Sequence, residues 1–449
     1  MIGIILFVVA VFALQYKKYI IALLIMLSFV SSGFRLLPDS LIGLKNEDLA
    51  IVLFFFWALL CKNKKEKYEN IDQTYSYKFV MYFVVFLIAL AVFSIIHYDF
   101  TLYQVIQGGR PYFVILLFFI LLKIDVRYIR YIITRPALYI TLLVSILYII
   151  QVATKLPLLP APANDEVSID STTGVARFYN APVYLKFYLY GLCLAPRLFN
   201  IKRKNIAIAI FLFALLCTQG RTNIGTTVAI LFLGLLMQNK FGRIMKYSLI
   251  GCIIVLPFLD VITSRLEGNN TDGDVEAVLN GSFVKLAKER GTPSGTMEYR
   301  FAWVYERASY LVERPFTEQI FGLGMISDSQ PVVYRKYNFF YGLTNEDFGR
   351  PYQLATPDVS LGEMIAKYGF GGTLILYCVW FSLLLYFYKH KKKSLSAFVG
   401  FFFILSMIVG SISNNSLACT SNLVFPFMIF LMAYSDMSLI KNTEENNNQ

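Results

Sequence analysis

Residues 78–96 read Lys-Phe-Val-Met-Tyr-Phe-Val-Val-Phe-Leu-Ile-Ala-Leu-Ala-Val-Phe-Ser-Ile-Ile. After Lys78 no charge interrupts the run, and its length matches the roughly 20 residues a helix needs to cross hydrocarbon. A backbone inside a bilayer must satisfy its own hydrogen bonds, so the run is expected to be a membrane helix. Working outward, comparable apolar segments cover approximately 2–14, 20–33, 48–61, 111–123, 132–152, 183–199, 206–218, 222–238, 246–263, 361–388, 397–412 and 421–437. Together they predict an all-α polytopic membrane helix bundle of about 12–13 spans. The shorter segments must borrow flanking residues, thin the bilayer or form half-helices.

Composition agrees. The 449 residues are 57% hydrophobic and 16% charged, against roughly 45–50% apolar and about 25% charged in soluble domains, which excludes a soluble enzyme. The formal charge of +12 does not imply a nucleic-acid partner, because Lys and Arg fall in short clusters between apolar segments and not along one stripe. The six cysteines lie in or at the ends of apolar segments and suggest neither a disulfide framework nor a thiolate cluster. Residues 2–14 lack a basic leader and a small-residue cleavage site, so they are expected to be a retained helix.

The basic clusters set the orientation. They are Lys17 and Lys18; Lys62, Lys64, Lys65 and Lys67; Lys123, Arg127, Arg130 and Arg135; Lys202, Arg203 and Lys204; Lys240, Arg243 and Lys246; Lys389 and Lys391 to Lys393; and Lys441. They fall after every second span, which assigns them to the cytoplasm. The remaining loops then face outside. The resulting organisation is an N-terminal transmembrane bundle (1–263), one large extracytoplasmic loop domain (264–358), C-terminal transmembrane helices (359–440) and a disordered cytoplasmic tail (441–449). Within the large loop, helices are expected over 275–289 and 297–313, the second carrying Arg300, Trp303 and Arg307 on one face. Pro315 ends it, and Gly322 and Gly324 mark a turn.

The residues most suggestive of chemistry are arginines on the outer side, where the bias predicts few bases. Arg110 lies in Gly-Gly-Arg-Pro, Arg177 in Val-Ala-Arg-Phe-Tyr-Asn and Arg221 in Thr-Gln-Gly-Arg-Thr-Asn, each at the outer end of a span. A guanidinium near the membrane interface suits a phosphate bidentately; the plainer alternative is an arginine snorkelling to headgroups or paired to a carboxylate. Arg300 and Arg314 in the large loop extend the set. Among carboxylates, Asp358 stands where the loop returns to the membrane, either as a helix N-cap or as a group that orients a hydroxyl or takes its proton. Glu363 is spaced to pair with Lys367 at i, i+4, and Glu298 beside Arg300 is a third candidate base. Trp303, Tyr179 and Tyr299 are candidates to stack on sugar rings, against the plainer reading of a belt or small core. Asn270 to Glu276 has alternating oxygen ligands but no later bidentate Glu, so it reads as an acidic turn. His97 and His390 are the only histidines; no metal, cofactor or Ser-His-Asp triad is expected.

Four stretches, in order, resemble the O-antigen polymerase and ligase superfamily. Arg177-Phe178-Tyr179-Asn180-Ala181-Pro182 is similar to the family's arginine loop, and Thr218-Gln219-Gly220-Arg221-Thr222-Asn223 to its short Ser/Thr-Arg-Gly turn. Tyr299-Arg300-Phe301-Ala302-Trp303, then Glu313-Arg314-Pro315 and Ile320-Phe321-Gly322-Leu323-Gly324, resembles the Arg-x-x-x-Trp stretch leading to Pro and a Gly-x-Gly turn. Asp358 with Leu361 to Gly372 looks like the returning helix with its Tyr-Gly-x-x-Gly ending. The first half of the chain matches in hydropathy alone. The ligases typically carry a histidine near the fourth stretch; here that place reads Pro357-Asp358, and no outside histidine is expected near the large loop. The spaced Arg-x(10)-Gly pattern of some polymerases is not met by Arg177 or Arg300.

The resemblance implies a GT-C-like, metal-independent glycosyltransferase of the bacterial inner membrane, a Wzy-type polysaccharide polymerase acting in lipopolysaccharide-like polysaccharide biosynthesis. Its partners would be a donor and an acceptor oligosaccharide on undecaprenyl pyrophosphate, the lipid bilayer, and a chain-length regulator. Arg177, Arg221 and Arg300, with Arg314 and Arg110 behind them, would hold pyrophosphate. Asp358, Glu298 or Glu363 would serve as base. The alternatives are a ligase that passes the glycan to another acceptor, and a flippase for lipid-linked oligosaccharide; a flippase predicts symmetric halves and charges at the bilayer midplane.

Overall fold

The computed structural model describes residues 2–30, 34–37, 40–41, 44–60, 68, 70–160, 168–169, 176–239, 242 and 276–447. The chain is mostly helical. In order the helices are α1 (Ile2–Gln15), α2 (Tyr19–Phe29), α3 (Asn46–Leu60), α4 (Tyr75–Tyr98), α5 (Leu102–Phe113), α6 (Leu117–Leu121), α7 (Val126–Thr134), α8 (Pro136–Thr154), α9 (Leu185–Leu194), α10 (Lys204–Cys217) and α11 (Arg221–Leu236). They continue with α12 (Ser282–Glu289), α13 (Thr296–Val312), α14 (Phe316–Phe321), α15 (Pro331–Lys336), α16 (Ser360–His390), α17 (Leu395–Gly410) and α18 (Val424–Asn447). The strands among the described residues form three two-residue antiparallel pairs: β1 (Ser40–Leu41) with β2 (Leu44–Lys45), β3 (Ser168–Ile169) with β4 (Ala176–Arg177), and β5 (Thr344–Asn345) with β6 (Arg350–Pro351).

Among the described residues five helical stretches are long and apolar enough to cross a membrane: Tyr75–Tyr98, Leu102–Leu121, Val126–Thr154, Ser360–His390 and Thr420–Ile440. This is the architecture of a multi-pass membrane protein. Each apolar segment of the sequence contains helix among its described residues except 246–263, which lies outside them, as do 31–33, 61 and the basic clusters at 62–67 and 240–246.

The run that opened the sequence reading is α4. Thr74 caps it by accepting the Tyr77 amide at 3.3 Å. One face, with Phe83, Leu87 and Leu90 fully buried, packs on α16, where Phe83 meets Tyr368 edge-on at 5.5 Å. Lipid tails are as apolar as leucine, so close packing and polar contacts, more than burial from water, bind such helices to one another. The polar contacts of α4 come at its end. Ser94 Oγ accepts the Met325 amide at 2.8 Å, and Tyr98 donates its hydroxyl to the Gly322 carbonyl at 2.6 Å. The turn at 322–325 is thereby fastened to α4.

The same turn meets α16 at a break. Gly369 has φ 65° and ψ −172°, so α16 is two helices joined at a kink. The carbonyl of Ala366, freed there, accepts the Leu323 amide at 2.9 Å. A side chain at Gly369 would collide with Gly322 N and the Ile320 carbonyl, so the turn and the kink fit only because both are glycine.

A second, smaller core gathers Ala287, Ala302, Trp303, Tyr341 and Val359 between α12, α13 and the returning chain. The helix expected over 275–289 is interrupted: Gly281 adopts φ 71° and α12 starts at Ser282. The stretch 441–449, expected to be disordered, continues α18 as far as Asn447.

Candidate functional site

The arginines singled out in the sequence fall into distinct settings. Arg177 lies on β4, whose chain is tied to α8: Tyr148 donates its hydroxyl to the Phe178 carbonyl at 2.8 Å, and Gln151 Nε2 donates to Asn180 Oδ1 at 2.8 Å. The turn carrying Arg221 reaches the same strand through Gln219, which sits at φ 52° and donates Nε2 to the Ala176 carbonyl at 3.1 Å. Segments 43 positions apart are thus joined one residue from Arg177 and two from Arg221. Gly220 caps α11, which puts Arg221 at its first position, exposed. Arg177 lies 4.7 Å over the Tyr179 ring and has no carboxylate partner among the described residues. Gln219 Oε1 is buried without a hydrogen bond.

Two cations that sequence reasoning missed belong to this end of the bundle. Arg35 and Arg177 both exert their charge on the Tyr148 hydroxyl. Lys186 lies in the first turn of α9, a helix otherwise wholly buried, and no charged or hydrogen-bonding partner meets it among the described residues. An ionisable side chain at membrane depth that faces a bundle interior is unusual without a ligand or a counter-ion. The signal was present in the sequence as a lone lysine inside an apolar segment, but without a counting rule for single charges it passed as part of a span.

Arg300 has a different neighbour. On α13 its Nη2 lies 3.8 Å from Asp358 Oδ1, and its Nε is buried without a hydrogen bond. Asp358 is not the cap of α16. Val359 holds that position, and the Asp358 amide instead donates to Thr356 Oγ1 at 3.2 Å, which leaves the carboxylate toward Arg300. Tyr299 sits edge-on to Tyr341 at 6.0 Å, and burial, reinforced by the Asp358 charge, pushes its phenol up to about 12.

Of the other candidates, Arg110, Glu298, Glu363 and Trp303 are engaged within the fold. Arg110 Nη1 bonds Asp48 Oδ2 at 3.0 Å, tying α5 to α3. Arg314 is exposed, stacked 4.4 Å over Tyr310, and lies about 20 Å along the helix axis from Arg300 at 1.5 Å per residue. Glu298 accepts from the Ser294 amide and hydroxyl, each at 2.7 Å, and from the Ser282 hydroxyl; burial opposes its charge, but these bonds prevail and hold its carboxyl below the ordinary range. Glu363 is buried with Lys367 at 2.5 Å, and accepts from the Thr356 amide and Asn415 Nδ2 at 3.3 Å. None of its bonds is open to a substrate hydroxyl. Trp303 is fully buried and presents no face to a sugar, a correction whose cause is the close approach of Gly362 on one side and Arg307 stacked at 4.0 Å on the other. Tyr179, 45% exposed, remains available.

Arg307, also fully buried, is the hub that sequence reading undervalued. It donates to the carbonyls of Trp303, Tyr341, Tyr352 and Gln353 and pairs with Glu306 at 2.7 Å. Burial pushes its guanidinium down to about 10, against the pull of Glu306. Asp328 plays the matching part below, accepting the amides of Gln353, Leu354 and Ala355 at 2.8–3.2 Å. Its carboxyl is raised by burial despite these bonds and the charge of Lys367.

No protein-family model matches the chain, and comparison with curated proteins gives no match. One expectation needs correction: a histidine does stand beside the large loop. His97, at the end of α4, bonds Glu318 of α14 at 2.9 Å. Among the described residues no group of His, Cys, Asp and Glu is arranged to hold a metal ion; the stretch 270–275 lies outside them.

Proposed function

We propose that the protein is a polysaccharide polymerase that extends lipid-linked glycans on the outer face of a bacterial inner membrane. The observation that carries this reading is the Gln219 bridge. It joins the strand of Arg177 to the turn of Arg221, and Arg35 shares the Tyr148 hydroxyl with Arg177, which makes a cationic site beside lipid-facing helices. In the reaction an acceptor hydroxyl oxygen bonds to the donor's anomeric carbon while the bond from that carbon to the pyrophosphate oxygen breaks. Undecaprenyl pyrophosphate departs with the electron pair, and Arg177 and Arg221 stabilise its growing charge. The hydroxyl proton passes to Asp358, oriented by Arg300. Holding two membrane-bound reactants together supplies much of the acceleration. The segment 264–358 is the extracytoplasmic domain of this GT-C-like arrangement.

The test is a gel of surface polysaccharide from a deletion strain complemented with wild type, Arg177→Ala or Arg221→Ala. Wild type should restore a ladder, while either variant should leave a single repeat unit at equal protein level. Normal ladders from both variants would overturn the reading. A ligase is the second reading, favoured by His97 beside α14. It predicts full-length polymer accumulating on the lipid carrier in the deletion strain.

A further inference from the structure

At the opposite end of the bundle from Arg177 and Arg221, α7 and α8 part at Arg135, whose φ −129° and ψ −81° break the helix before Pro136. The break opens a cleft of about 810 Å3 against the chain that joins α9 to α10. Its rim carries Arg135, Lys202 and Arg203, and no residue that lines it is acidic. Its wall is made by Tyr131, Tyr139 and Ile206, which are 43%, 57% and 55% exposed.

The acids that meet the helix leading to Arg135 are already engaged. Asp125 bonds Arg127 at 2.8 Å, and Asp436 bonds Arg130. Arg135 has only the Tyr131 ring, 5.8 Å away, and neither Lys202 nor Arg203 has an ion-pair partner among the described residues. Three cations that share one rim repel one another, a cost that an anion between them removes. The helix leading into the cleft is amphipathic: Ile129, Ile132 and Ile133 are buried while Arg127 and Tyr131 face out, the pattern of a helix lying in a membrane interface. Beyond the rim the apolar wall runs onto α8 and α10, among the apolar helices of the bundle.

We propose that this cleft binds an anionic phospholipid, with the phosphate between Arg135, Lys202 and Arg203 and an acyl chain along Tyr139 and Ile206. The basic bias assigns this end to the cytoplasmic leaflet, where anionic headgroups are abundant. A soluble phosphate would use the rim and leave the exposed apolar wall without a role. The proposal does not depend on which reaction the outer site performs.

The experiment is native mass spectrometry of the full chain released from nanodiscs of phosphatidylglycerol mixed with phosphatidylcholine. Wild type should retain phosphatidylglycerol selectively, and the triple variant Arg135→Gln, Lys202→Gln, Arg203→Gln should lose at least about tenfold of that retention. Ile206→Trp, which narrows the apolar wall at a lipid-exposed position without changing charge, should lower it as well and decides the matter if the triple variant fails to fold. Equal retention of both lipids by wild type, or unchanged retention in the folded variants, would overturn the proposal. So would displacement of the lipid by millimolar inorganic phosphate together with undiminished binding in Ile206→Trp, which would make the rim a plain anion site.

Discussion

Arg300 and Arg307 lie seven residues apart on one helix, which places them on the same face, yet their surroundings are opposite. Arg307 is sealed under Trp303 and Phe339 and gives its Nε and Nη2 to the chain that returns from α15, while Nη1 bonds Trp303 and Glu306 of its own helix. Arg300 keeps one guanidinium edge beside Asp358 and leaves a buried Nε unused. Arg307→Ala should therefore destabilise the protein by about 3 kcal/mol, since it strands several buried carbonyls at once. Arg300→Ala removes one loose ion pair and should cost under about 1 kcal/mol. Thermal unfolding in detergent separates the two, and polymer gels should show Arg300→Ala inactive though folded. A large loss of stability from Arg300→Ala would remove it from the site. The sequence spacing correctly set Arg300, Trp303 and Arg307 on one face. Which of them is covered depends on residues 339–353, and no local pattern on the helix itself carries that information.

At the scale of elements, the junction of the 322–325 turn with the kink of α16 joins parts almost fifty residues apart. Gly369 occupies a region of φ/ψ space open essentially to glycine alone, and Gly322 at φ 71° lies against it. Each backbone fills the space that a Cβ on the other would need. Gly369→Ala and Gly322→Ala should each cost about 3 kcal/mol or more, from strain and collision together, and reduce the amount of monodisperse protein recovered from membranes. Gly349→Ala is the control: φ is 61°, but nothing lies within 4 Å of the added methyl, so the loss should be about 1 kcal/mol. Fluorescence-detected size exclusion of the three variants measures the difference, and equal recovery of all three would refute the lock. The turn and the Tyr-Gly-x-x-Gly ending were each legible in the sequence as local breaks. Their contact was not, because periodicity and turn chemistry describe neighbours along the chain. The same limit explains Gly281, where a helical pattern over 275–289 hid a residue that ends one helix and starts the next.

For the whole molecule, apolar run length was enough to find a multi-pass helical membrane protein, though five stretches among the described residues reach membrane length where about 12–13 spans were expected. Of the five arginines singled out in the sequence, the two ranked second have partners of their own: Arg110 pairs with Asp48 and Arg314 stacks on Tyr310, and those partners come from elsewhere in the fold or from a neighbouring turn. What the two ends of the bundle can do depends on which side each faces. The alternation of basic clusters assigns Arg127 to the cytoplasm and Leu279 to the outside. Both side chains are open, at 84% and 80%, so cysteines placed there should react freely wherever reagent reaches them. In a background with the native cysteines replaced by serine, a membrane-impermeant maleimide added to intact spheroplasts should label Leu279→Cys and spare Arg127→Cys until the membrane is permeabilised. The reverse pattern would put Arg177, Arg221 and Arg300 on the cytoplasmic side, away from the lipid-linked glycans of the outer leaflet. It would end the polymerase reading while leaving the cleft at Arg135 to face the outer leaflet, where its phospholipid would have to be found instead.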